Sequence, residues 1–143
     1  KRIKNSNSVA LHVRRGDYIQ DRHTNSVHGV CNLDYYNRAI SYINSKVSNP
    51  VYFIFSDDMP WCKENIHHLG DIIFVDNTSN SIDDLELMKS CKHNIIANST
   101  FSWWGAWLNS NPHKIVIAPK IWYMMEDLNI TTSSLIPNSW IRL

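Results

Sequence analysis

The chain has 143 residues, enough for one domain with a proper core, and its 43% apolar content and scarce glycine and proline exclude a disordered or low-complexity segment. Fourteen basic and 13 acidic residues leave a net charge of +1, which excludes a broad nucleic-acid surface but allows one local basic site. No apolar run approaches the ~18 residues of a membrane-spanning helix and no signal peptide is visible, so a cytoplasmic setting is expected.

Residues 8–14 read SVALHVR, with Val9, Leu11 and Val13 on one face of a strand and Ala10, His12 and Arg14 on the other. The strand runs into HVRRGDY, which sets Arg14 and Arg15 side by side, followed by Gly16 and Asp17. Guanidinium groups hold phosphate bidentately and stay charged at any working pH, so two of them can neutralise a pyrophosphate without a metal. A surface turn salt-bridged to Asp17 is the other reading of these residues. Leu33, Tyr36, Ile40, Ile43 and Val47 recur at helical spacing up to Asn49-Pro50.

Residues 51–56 (VYFIFS) form a continuous apolar run, as in a strand buried on both faces, and Asp57 and Asp58 follow it. One of these carboxylates can accept the two adjacent N–H groups of guanine, and one can cap the helix expected over 60–69. A hard-cation site wants more oxygen ligands than one such pair supplies. A short strand is expected over 71–75 and a helix over 81–92, capped by Ser81 with Asp84 three residues on. Ile82, Leu85, Met88 and Cys91 share that helix's apolar face, and Asp83 and Asp84 serve its dipole.

A strand over 94–97 leads to Asn98-Ser99-Thr100-Phe101-Ser102 and a helix over 101–109. Hydroxyls and free N–H groups at that helix start suit an anion, or simply cap the helix. Trp103 and Trp107 lie one turn apart, a spacing that favours packing over sugar stacking. The last expected strand covers 114–118, and residues 135–140 are expected to fold back on the sheet. Cys31, Cys62 and Cys91 are odd in number and widely spaced, as buried thiols are. The histidines, among them His67 and His68, show no metal-ligand spacing.

Strands alternating with helices along the whole chain predict a Rossmann-like, doubly wound α/β domain with five mostly parallel strands. Ligands of such sheets bind beyond the carboxyl ends of the strands, where Arg14–Asp17, Ser56–Asp58 and Asn98–Ser102 all fall. Neither GxGxxG nor GxxxxGK[ST] occurs, against a dinucleotide binder or a P-loop NTPase.

HVRRGDY, FSDD and the long run CKHNIIANSTFSWWGAWLN resemble, in order and separation, the donor-binding half of bacterial α-1,2-fucosyltransferases, glycosyltransferase family 11. The HxRRxD pattern is shared by several fucosyltransferase families, whereas NSTFSWWGAWL is more specific. The resemblance covers roughly residues 9–119. It implies the C-terminal domain of a GT-B type, inverting enzyme, independent of metal and of any cofactor, that moves fucose from GDP-fucose to a galactoside 2-hydroxyl. It further implies that Arg14 or Arg15 holds the pyrophosphate. His12 with Asp57 or Asp58 would contact guanine, Ser99, Thr100 and Phe101 would line the phosphates, and Asn98 and Ser102 count among the substrate-binding residues. Asp17, with Asp21 in the loop that follows, is the carboxylate expected nearest the chemistry, as base or as orienter of an arginine. The Gly-rich N-terminal domain that shapes the acceptor cleft in that family has no counterpart here. Residues 1–143 are therefore expected to be a single donor domain, weakly active or inactive alone, of a bacterial enzyme in the cytoplasm or at the periphery of the inner membrane. A guanine nucleotide-sugar module without catalysis is the alternative.

Overall fold

The computed structural model describes residues 1–66 and 70–143. Six strands make one sheet in the order β3-β2-β1-β4-β5-β6, and every neighbouring pair is parallel. They are β1 (Asn7–Val13), β2 (Pro50–Ser56), β3 (Asp71–Phe74), β4 (His93–Ile95), β5 (Val116–Ala118) and β6 (Ile141–Arg142). Successive strands move outward from β1 to one edge, then return to β4 and move to the other. The order thus reverses between β1 and β4, and the ends of those two strands border the crevice where such sheets take ligands.

β1 and β2 are buried on both faces because helices cover both. On one face α3 (Leu33–Lys46) and α4 (Met59–Asn65) pack on Val9, Leu11, Tyr52 and Ile54. The Asn32 side chain caps α3 by accepting the Tyr35 N–H, and the Tyr35 hydroxyl reaches across to donate to the Ile96 carbonyl at 2.6 Å. On the opposite face α5 (Ser81–Ser90) places Met88 against Ala10, Phe53 and Phe55, and α6 (Thr100–Trp107) places Ala106 against Ile96 and Val116. A Cβ on Gly105 would meet the Met88 Cβ at 3.1 Å, so the contact of α5 with α6 depends on that glycine. The chain ends with α7 (Glu126–Ile130), a 3₁₀ turn at Thr131–Ser133, and the buried Ile136 and Trp140 folded back beside β5.

The expected doubly wound parallel sheet is present, with one strand more than the five anticipated. β6 has two residues, too few to give an alternating pattern. Two short helices, α1 (Gly16–Gln20) and α2 (Arg22–His28), occupy a stretch read as loop; neither contains a buried residue, so neither carries an apolar period. Asn80, not Ser81, caps α5 by accepting from the Ile82 and Asp83 N–H groups, and Ile82 is 68% exposed instead of facing the core. The far end of the helix expected over 60–69, with His67 and His68, lies outside the described residues.

Candidate active site at the sheet's switch point

A cavity of about 210 Å³ opens where β1 and β2 end, walled by His12, Arg14, Ser56, Asp57, Asp84 and Phe101. The fold brings these residues together from four separate parts of the chain. β1 and β2 run in register, with His12 opposite Phe55 and Val13 opposite Ser56, so Arg14 and Asp57 leave neighbouring strands at the same height.

The two arginines have different surroundings. Arg14 borders the cavity, pairing with Asp17 at 2.8 Å and more loosely with Asp57 at 3.4 Å. Arg15 turns aside, its guanidinium carbon 4.1 Å above the Trp61 ring and its Nε 3.4 Å from Asp58; its side chain is 17% exposed, against 32% for Arg14. Asp57 accepts the Arg15 backbone N–H at 2.9 Å, and Asp58 caps α4 by accepting from Trp61. Both carboxylates flanked by β2 and α4 are therefore engaged within the protein. A Cβ at Gly16 would stand 2.9 Å from Asp57 Oδ2, so a larger residue there would displace that carboxylate.

His12 is 4% exposed, tilted against the Phe101 ring at 5.6 Å, and its Nδ1 is enclosed without a hydrogen-bond partner. Burial lowers its pKa from 6.5 to about 4; Asp57 opposes the shift and Arg14 adds to it. A histidine depressed in the fold stabilises fully above its unfolded value and loses that stabilisation as pH falls toward the folded one. Between pH 6.5 and 4 the fold should therefore lose up to about 3 kcal/mol through His12. Urea unfolding at the two pH values should show this loss in the parent and a smaller one in His12→Gln. Equal losses would mean that His12 does not carry it.

From the sequence, Asp84 has only helix-start roles, beside the Ser81 cap and at the dipole. In the fold it lines the cavity, and its Oδ1 is enclosed and unpartnered, like the Nδ1 of His12. Buried polar atoms are normally satisfied, and two open ones on one cavity wall mark where a ligand would complete them. The signal available in the sequence was the pair Asp83-Asp84, of which a helix start needs only one.

The segment Asn98–Ser102 divides its work. Ser99 precedes α6 without a side-chain cap, leaving the first-turn N–H groups of Thr100, Phe101 and Ser102 without a side-chain acceptor. Phe101 walls the cavity, while the buried Ser102 hydroxyl turns back to the Ala97 and Ser99 carbonyls. The Asn98 amide is committed elsewhere, donating to the carbonyls of His28 (2.8 Å), Gly29 (3.2 Å) and Trp122 (3.2 Å). Asp17 is half exposed on its Arg14 pair. Asp21 is not in a loop but caps α2, and its bonds to Thr24 and His23 hold its carboxyl below the usual range. Trp103 packs as expected, stacked on Trp107 at 5.2 Å and donating to the Leu135 carbonyl; Trp104 and Trp107, however, are about half exposed.

The sequence of this site can be set beside known proteins. The family described as glycosyl transferase family 11 matches residues 2–143. The O-antigen biosynthesis glycosyltransferase WbnK of Escherichia coli is 43% identical over 142 residues, covering 98% of this chain and 46% of that protein. An alpha-1,2-colitosyltransferase of Escherichia coli is 39% identical over 99% of this chain and 49% of its own length. Galactoside alpha-(1,2)-fucosyltransferase 2 of Mus musculus is 35% identical over 72% of this chain and 30% of its own. The chain thus spans at most about half the length of these relatives.

Proposed function

The chain belongs to glycosyltransferase family 11, and from that premise we propose that it is the donor-binding half of an inverting galactoside α-1,2-fucosyltransferase that uses GDP-fucose. The observation that carries this reading is the cavity at the ends of β1 and β2, with Arg14 at its mouth and the unpartnered Asp84 Oδ1 and His12 Nδ1 on its wall. The names of the relatives that transfer to a 1,2 linkage support the type of reaction.

Guanine offers two adjacent N–H donors along one edge, which one carboxylate accepts together, and the neutral His12 completes the base's surroundings next to Phe101. The diphosphate then lies toward Arg14 and the free N–H groups that open α6. In the reaction the acceptor oxygen attacks the anomeric carbon from the face opposite GDP, and charge grows on the departing diphosphate. A guanidinium and a helix start already fixed there stabilise that charge without reorganising, as a bound cation does in metal-dependent enzymes.

Calorimetric titration of GDP and ADP, in the presence of EDTA, tests the reading. The parent should bind GDP without added metal and ADP poorly. Adenine turns a lone pair toward the carboxylate where guanine has N1–H, and such a mispaired charged contact costs about 1.5–3 kcal/mol. Asp84→Asn should narrow the gap between the two nucleotides. Equal binding of ADP and GDP by the parent, or binding that vanishes in EDTA, would sink it.

A further inference from the structure

We propose that the Ser81 hydroxyl reads the ribose of the donor nucleotide, bonding its 2′-hydroxyl and so setting a ribonucleotide apart from its 2′-deoxy counterpart; this rests on the donor reading given above. Ser81, Asp84 and Met88 line the cavity at the ends of β1 and β2 and follow one another at helical spacing along α5. Their exposure grades along that stripe: Met88 is buried, Asp84 half-buried and Ser81 exposed. The stripe therefore runs from the cavity's floor to its mouth, and Ser81 stands one turn outward of the Asp84 carboxylate.

Ser81 is free for a ligand because the helix does not need it. The Asn80 side chain accepts the Ile82 and Asp83 N–H groups at 2.9 and 3.0 Å and so caps α5. Among the described residues the Ser81 hydroxyl has no hydrogen-bond partner. The other hydroxyl on the wall, that of Ser56, accepts the Asp58 N–H at 2.9 Å. The same cavity holds the buried His12, whose Nδ1 is unpartnered, and the enclosed Asp84 Oδ1, so the wall beside Ser81 lacks partners that a polar ligand supplies.

The covalent geometry of the nucleotide decides which of its groups arrives at Ser81. A carboxylate that accepts N1–H and one amino hydrogen of guanine meets the base on its outer edge. Beyond the amino group, going round the purine toward the sugar, comes N3, and the ribose 2′-hydroxyl lies on that same side of the base. Moving outward along α5 from Asp84 is thus moving from the amino group to the ribose. The diphosphate hangs from the other end of the ribose and lies toward Arg14, which borders the cavity from the end of β1. Base at Asp84, 2′ edge at Ser81 and phosphate at Arg14 are three separate points, enough to hold a ribonucleotide in one orientation.

Titration calorimetry of the 143-residue chain with GDP and with 2′-deoxy-GDP tests this on the parent, Ser81→Ala and Ser81→Thr. The parent should hold GDP roughly 3- to 10-fold more tightly than the deoxy form, the range of one neutral hydrogen bond. Ser81→Ala should lose that factor for GDP and nothing for 2′-deoxy-GDP, so that the two bind alike. Ser81→Thr keeps a hydroxyl and should retain the preference. Urea unfolding of Ser81→Ala should match the parent, since Asn80 keeps the cap. A preference for GDP that survives Ser81→Ala would overturn the proposal. So would equal losses for the two nucleotides, which would put the hydroxyl on the base instead of the ribose. A parent that binds GDP and its deoxy form alike, yet still prefers GDP to ADP, would overturn the ribose contact and leave the donor reading standing. A parent that binds neither guanine nucleotide would remove the donor reading and this proposal with it.

Discussion

Arg14→Ala is expected to weaken GDP binding by about 2–5 kcal/mol while leaving guanosine nearly untouched, because guanosine has no phosphate for the guanidinium to hold. The sequence alone does not separate Arg14 from Arg15. The fold does, by turning Arg15 onto Trp61 and Asp58 while Arg14 borders the cavity. Arg15→Ala should therefore act mainly on stability, through a lost cation–π contact and an unpaired Asp58, with a smaller effect on GDP. Arg14→Lys should recover only part of the affinity, since an ammonium lacks the planar fork. Paired titrations of GDP and guanosine, with circular dichroism to confirm folding, give the answer. The assignment fails if Arg14→Ala binds GDP as the parent does, or if Arg15→Ala proves to be the variant that loses GDP selectively.

The second large effect is expected at Asn98, which is 2% exposed. Its amide nitrogen serves three carbonyls, its Oδ1 lies 3.6 Å from Cys31 Sγ, and its own carbonyl accepts from the Tyr18 hydroxyl at 3.1 Å. Asn98→Asp keeps the shape but sets carboxyl oxygen against those carbonyls. At neutral pH it should cost about 3–5 kcal/mol, the penalty of a buried charge without its partner. Burial raises the pKa of this carboxyl in the fold and protonation relieves the clash, so the deficit should shrink as pH falls toward the usual carboxylate range. Chemical denaturation of parent and variant at pH 7 and pH 4 measures both. A variant as stable as the parent at pH 7 would show that the amide's three bonds contribute little.

Period and placement made the frame legible. VYFIFS could only be a strand covered on both faces, and the alternation of strands with helices fixed a parallel sheet whose carboxyl ends gather the chemistry. Where the sequence reading fell short, the deciding contacts were long-range. Asp84 looks like any acid in a first helical turn until β1 and α5 bring it beside His12. Asn98 sits in a run of hydroxyl residues, and nothing local reveals that its partners come from residues 28, 29 and 122. The helices α1 and α2 left no pattern because no residue in them is buried.

That last feature has a thermodynamic consequence. A segment that buries no side chain adds little to global cooperativity, so α1 and α2 form a low-energy unit whose amides can exchange while the sheet stays closed. It is tethered by the Tyr18 hydroxyl and the Asn98 amide, which meet just past β4, and by the Met124 N–H donating to the Val27 carbonyl. A ligand held at Arg14 would touch the segment at α1's first turn. Part of its binding free energy would then go into narrowing the segment's ensemble.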